Sequence, residues 1–270
     1  MRRCEFCDSP VPADATICPV CKEEIAEETL ERILPMLKRP DAPDIREMGI
    51  KDRLWGVIRR PAAAYRDIGR RPDAAGPMLV IIANALVLFG FFLAISSKFT
   101  VTVTVNVTSG QTADVSILSS YLAPQVILAG VATIVPYIML GMFYLIIGGA
   151  FAHLAFRITG GTGNKRKSVA IVGYSMLPVV LIRIAAIFVI LTTLPTFNAN
   201  LASQYGTHVD AIFSSPSWEI IDLMTVGAFF WTGFLLIFGI REAHDTSTRW
   251  AALVSLACII VLIWTFWQVH

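Results

Sequence analysis

The sequence predicts an all-α integral membrane protein of five transmembrane helices, preceded by a small Cys4 metal module. Three observations carry this. Apolar stretches recur at about 77–95, 126–156, 168–191, 220–240 and 250–267, and about 20 apolar residues cross a hydrocarbon core of about 30 Å. Hydrophobic residues make up 55% of the chain and charged residues only 16%, too few to solvate a globule of this size. The basic residues are also partitioned. Of the 22 Lys and Arg, 14 precede the first span, and the loops 96–125 and 192–219 hold only Lys98. Buried helices of a soluble protein are rarely this apolar five times over.

The same partition sets the topology. Cytoplasmic loops retain Lys and Arg, so the N-terminus and the loops holding Arg157, Lys165, Arg166, Lys167, Arg241 and Arg249 are expected on the cytoplasmic side. Five spans then place Gln268–His270 outside, in a multi-pass protein of the cell membrane. A signal peptide is not expected, because the first span opens only at residue 77.

Residues 1–25 hold Cys4-x2-Cys7 and Cys18-x2-Cys21. Each Cys-x2-Cys turn aims two thiolates at one ion, and two turns complete a closed tetrahedral site, structural rather than catalytic. Zinc is the expected cofactor, with iron in a rubredoxin-like site as its rival. Disulfides are disfavoured on a reducing, cytoplasmic side. Metal binding would supply folding free energy that so short a segment lacks. The stretch resembles the zinc-ribbon knuckles found at the N-termini of many prokaryotic membrane proteins, although those usually carry Gly where Asp8 and Lys22 stand. Few basic residues and no aromatic besides Phe6 argue against nucleic acid as a partner.

Residues 26–46 read as the rest of an acidic amphipathic helix and a Pro-Asp linker. From about 47 to 70 the charge reverses. Ile50, Leu54, Trp55, Val57 and Ile58 form an apolar face among Lys51, Arg53, Arg59 and Arg60. A basic amphipathic helix with Trp at its edge lies in the membrane interface and favours anionic headgroups; ordinary positive-inside flanking explains the same charges. Asp73 is placed to cap the first span, and Pro77 suits a first turn. After that span, the alternation Thr100–Thr108 predicts a strand, paired as a hairpin with residues 112–118. Asn106-Val107-Thr108 is a glycosylation sequon only on a glycosylated side. The second stretch is long for one span and short for two. Pro136 there, and Pro178 in the third span, predict kinks.

Residues 50–267 resemble the YIP-domain family of Rab-interacting membrane proteins and their prokaryotic relatives. The likeness rests on Trp55-Gly56-Val57-Ile58-Arg59-Arg60-Pro61, on Asp73-Ala74-Ala75-Gly76-Pro77 opening the first span, and on Gly173-Tyr174-Ser175-Met176-Leu177-Pro178 in the third. Ala74 and Ala75 replace the family's Leu and Tyr. The resemblance implies five spans with a cytoplasmic N-terminus. In eukaryotes it also implies vesicle traffic and prenylated GTPases as partners. The Cys-rich knuckles point to an archaeal-like relative without that partner, so fold transfers better than function.

Inside the spans, Arg183 is the expensive residue. Asp222, with Glu219 as alternative, is its expected ion-pair partner; outward snorkelling is the competing reading. Asn84 is expected to donate a hydrogen bond between helices, and Gly141, Gly148, Gly149 and Ala152 to allow close packing. Cys258 reads as a small packing residue. No catalytic residues are assigned: the four His are scattered, and Gly160–Lys165 lacks Walker spacing. The sequence therefore predicts a non-enzymatic scaffold or adaptor, its zinc module recruiting a protein partner and its membrane domain contacting anionic lipids; a homo-oligomer is compatible with it. The alternative is a small-solute or ion transporter using Arg183 and Asp222.

Overall fold

The computed structural model describes residues 2–4, 7, 9–11, 15, 17–23, 47–106, 110–158, 164–199, 205–244 and 246–269. The acidic helix and linker expected at 26–46 lie outside these, as do Val107 and Thr108 of the sequon. Among the described residues, five helices are long and apolar enough to cross a membrane: Ala75–Ser96, Ala123–Leu154, Lys165–Thr193, Pro216–Glu242 and Thr248–Gln268. Four of them extend a little beyond their apolar stretches at both ends, and the second starts earlier than its stretch and stops at Leu154.

The prolines break two of the spans. The second is built from α4 (Ala123–Ala132) and α5 (Ile134–Ile158), the third from α6 (Lys165–Ser175) and α7 (Leu177–Thr193). Pro136 and Pro178 lack the N–H that would reach back four residues, and their rings crowd that carbonyl. The chain tightens just ahead of each: Thr133 N–H bonds Gly130 O and Met176 N–H bonds Gly173 O, both three residues back. Before the first span (α3, Ala75–Ser96), the expected single helix is two, α1 (Ile50–Arg59) and α2 (Pro61–Arg70). Pro61 disfavours the helical region at Arg60, which sits at φ −141°, ψ 63°.

The chain forms two compact units. One comprises Met1–Val80, Met142–Pro178 and Phe229–His270; the other comprises Ile81–Gly141 and Val179–Ala228. In the first, β1 (Arg2–Arg3) and β2 (Pro10–Val11) pair antiparallel in the Cys-rich module. Its main core joins Val57, Tyr65 and Ile68 to Ile171, Tyr174, Leu235 and Phe238. These come from α1, α2, α6 and α9 (Pro216–His244). The last helix, α10 (Thr248–Val269), adds Ala251.

In the second unit the expected hairpin forms. Strand β3 (Phe99–Asn106) pairs antiparallel with β4 (Gln111–Ser116), with Gly110 at φ +66° in the turn, where Gly is unstrained. A third strand, β5 (Phe197–Asn198), adds parallel to β3. The loop before the fourth span carries a short helix, α8 (Tyr205–Phe213). Ala186, Ile190, Leu194, Phe197, Ile212 and Trp218 form the core here.

Candidate functional site

The four knuckle cysteines converge. Their Sγ atoms all lie within 4.8 Å of one another, with Cys4–Cys21 and Cys7–Cys18 at 3.6 Å. A disulfide would need about 2.05 Å. A tetrahedral thiolate site with metal–sulfur bonds of about 2.3 Å has sulfur–sulfur edges of about 3.8 Å, so the donor set fits one such ion. The two knuckles repeat one backbone device, since Cys4 N–H bonds Ser9 O and Cys18 N–H bonds Glu23 O. Hydrogen bonding from Ser9, first by its side chain and then by its backbone, lowers the Cys7 thiol to about 6. Against a lowering backbone hydrogen bond at Glu23, desolvation and the hydrogen bonds of Cys18, Cys4 and Cys7 move Cys21 the other way, to about 12. It is therefore the convergence of the four sulfurs that supports a metal site. Lys22, which stands where related knuckles carry Gly, adopts φ +59°. Ile17 and Val20 flank Cys18 with 54% and 65% of their surfaces exposed.

The second constellation lies where α1 and α2 meet the first and third spans. Arg53 is buried in α1. Its Nε donates to Asp67 Oδ2 at 2.8 Å, and its Nη1 donates to Asp73 Oδ2. Tyr174 Oη donates to the same Asp73 oxygen at 3.0 Å. The other carboxylate oxygen, Oδ1, accepts from Gly76 N–H at 2.7 Å and closes the first turn of α3. A Cβ on Gly76 would fall 1.9 Å from Tyr174 Oη, and one on Gly173 would fall 2.4 Å from Pro77 Cβ and 3.0 Å from its Cα. The structure thus brings Asp73, Gly76, Pro77, Gly173 and Tyr174 into one joint. Beside it, the Tyr65 and Ser175 hydroxyls lie 2.6 Å apart. Pro178 stands one residue inside α7, just past the break in the third span.

Arg53 and Asp67 were not read from the sequence as site residues. Arg53 sits among basic residues that look like ordinary flanks, and its partners lie 14 and 20 residues away. Pro61 was the available signal, since a helix broken there folds back and brings Asp67 within reach. The expected apolar face of α1 is also divided. Val57 and Arg53 turn inward, whereas Trp55 is 57% exposed, with the Arg59 guanidinium 4.5 Å above its ring. Arg60, Lys51 and Arg70 are exposed as well.

A third buried polar group was equally hidden. Glu242 accepts from Arg66 Nε at 3.0 Å and from Arg241 Nη2 at 2.9 Å. Arg241 and His244 are fully buried, and His244 Nε2 lies 3.4 Å from Ser168 Oγ. Burial, helped by Lys167 and His153, lowers His244 to about 3.

In the second unit, Arg183 has a different partner from the anticipated Asp222 or Glu219. Its Nη1 donates to Asn84 Oδ1 at 2.5 Å. A long side chain on a helix leans toward the N-terminus of that helix. Arg183, ten residues before Thr193, therefore reaches away from the end of α9 that carries Asp222.

The sequence profile of the family described as Yip1 domain matches residues 55–268. No curated protein and no solved structure matches the chain.

Proposed function

We propose that this chain, which belongs to the Yip1 domain family, is a non-enzymatic scaffold of the cell membrane whose cytoplasmic Cys4 module, loaded with zinc, recruits a protein partner. The observation that carries this reading is how its buried polar groups are used. Arg53, Asp67, Asp73 and Tyr174 are spent on one another in a joint between helices. A joint of this kind fixes two short helices against membrane spans, which is what a platform needs.

The positive-inside pattern supports a cytoplasmic N-terminus, which puts the metal module and the α1–α2 pair on one side of the membrane. On that side, exposed Trp55 under Arg59, with Lys51, Arg60 and Arg70, suits an interface rich in anionic lipid. Ile17 and Val20 give the metal knuckle an apolar contact surface beside its ligands. The closed set of four thiolates supports a structural ion.

The test is affinity purification of the detergent-solubilised protein, cross-linked in native cells, beside a variant with Cys4, Cys7, Cys18 and Cys21 changed to Ser. A stoichiometric partner present with the wild type and lost from the variant is the expected result. Absence of a partner from both samples would overturn the scaffold reading.

A further inference from the structure

The four cysteines of the metal module are not equivalent. Cys4 and Cys18 are buried, at 2% and 0% exposure, whereas Cys7 and Cys21 are half-buried. Each Cys-x2-Cys turn thus presents a covered sulfur first and a reachable sulfur second. The two contacts of 3.6 Å run between the turns and join unlike members. Reachable Cys21 meets covered Cys4, and reachable Cys7 meets covered Cys18. A thiolate that an oxidant can reach therefore stands beside one that can resolve it, twice over.

The chemistry this permits is specific. A ligand cysteine is a thiolate, the form that attacks a peroxide. Cys7 or Cys21 attacks one peroxide oxygen, the O–O bond breaks, and a sulfenic acid and hydroxide result. The neighbouring thiolate, Cys18 or Cys4, then attacks the sulfenic sulfur. An S–S bond forms, the S–O bond breaks, and a second hydroxide leaves. Each cysteine pair gives two electrons to one peroxide. Sulfurs 3.6 Å apart need to close by about 1.5 Å to reach bonding distance.

The pairing also decides what remains afterwards. Cys4 and Cys21 are 17 residues apart and enclose Cys7 and Cys18, which are 11 apart. Two nested links would keep the turns tied to each other after the ion is gone. Links closed within each turn, Cys4 to Cys7 and Cys18 to Cys21, would leave them separate.

We propose that the Cys4 module is a peroxide-sensitive switch, in which oxidation releases the metal ion and joins the two turns through Cys4–Cys21 and Cys7–Cys18. The proposal rests on the zinc-loaded module proposed above and adds regulation to its recruiting role. On a reducing side of the membrane such links are transient, as in redox sensing. A dithiol reductant, itself becoming a disulfide, returns the four thiols and with them the metal site.

The test uses the purified full-length protein in detergent. Its zinc content is measured first. It is then treated with hydrogen peroxide, released zinc is read with a chromogenic chelator, and disulfides are mapped by mass spectrometry after alkylation of the remaining thiols. The expected result is release of the zinc, links Cys4–Cys21 and Cys7–Cys18, and Cys258 in α10 still a thiol. Dithiothreitol and added zinc restore the loaded protein. Cys7→Ser should form Cys4–Cys21 and leave Cys18 a thiol. Zinc retained through peroxide treatment, links within each turn, or sulfinic acids in place of links would overturn this proposal and leave the zinc reading intact. A protein that purifies without zinc would overturn both.

Discussion

Replacing Arg53 with Met tests the joint at the start of the first span by charge arithmetic. The guanidinium is 8% exposed and faces two carboxylates, Asp67 and Asp73, that are 10% and 24% exposed. Met preserves most of the aliphatic volume but leaves two largely buried negative charges without their cation. Breaking a buried ion pair from one side costs about 3–5 kcal/mol, because the stranded charge keeps its desolvation penalty. For a chain of this size that corresponds to a fall in Tm on the order of 10 °C. The assay is thermal unfolding of the detergent-solubilised protein, followed by loss of the monodisperse peak. The decisive comparison adds Asp67→Asn and Asp73→Asn to the same chain. Asp73→Asn keeps an oxygen for Gly76 N–H, and the two changes together remove the stranded charges, so more than half of the lost stability should return. A triple variant no more stable than Arg53→Met would refute the charge reasoning and reduce Arg53 to a packing residue.

Further outcomes follow from other sites. Gly173→Ala should destabilise more than Gly76→Ala, about 2–3 against 1–2 kcal/mol, since the first presses on the backbone of Pro77 and the second on the end of a tyrosine; the same thermal assay ranks them. His244 titrates near 3 in the folded protein, below its ordinary 6.5, so the unfolded state takes up the proton first. Stability is therefore whole above about pH 6.5 and declines as pH falls toward 3, by about 2 kcal/mol at pH 5. His244→Gln should flatten the change in Tm between pH 7.5 and pH 5. Lys22→Gly relieves a left-handed backbone worth about 1 kcal/mol and should slow loss of metal to a chelator.

The parts of this fold that could be read from the chain are those written in local pattern. Long apolar stretches gave the five spans, alternation of Thr and Val gave the β3–β4 hairpin, and Pro136 and Pro178 gave the breaks. Strand β5 could not be read, because Phe197-Asn198 is too short to show any period; only its pairing with Phe99 and Thr100 defines it. The joint was half legible. Asp73, Gly76, Pro77, Gly173 and Tyr174 stood out as motifs, but nothing local says that a glycine in one span makes room for a tyrosine in another. Arg183 shows the opposite failure. Matching opposite charges favoured Asp222, while the residue that meets the guanidinium is a neutral amide, Asn84, expected to donate between helices and found to accept through Oδ1.

The small parallel ladder beside the first and third spans has a mechanical consequence. Phe197 N–H bonds Lys98 O, Ala199 N–H bonds Thr100 O, and Lys98 Nζ reaches Leu191 O. Lower down, Arg183 meets Asn84. The two backbone bonds join residues 99 apart, as does the Arg183–Asn84 contact, which is expected for two rods running in the same direction. Sliding either rod by one residue would break several of these bonds at once, so the pair resists shear and tilts as one body. A load applied to the sheet is therefore shared by both helices.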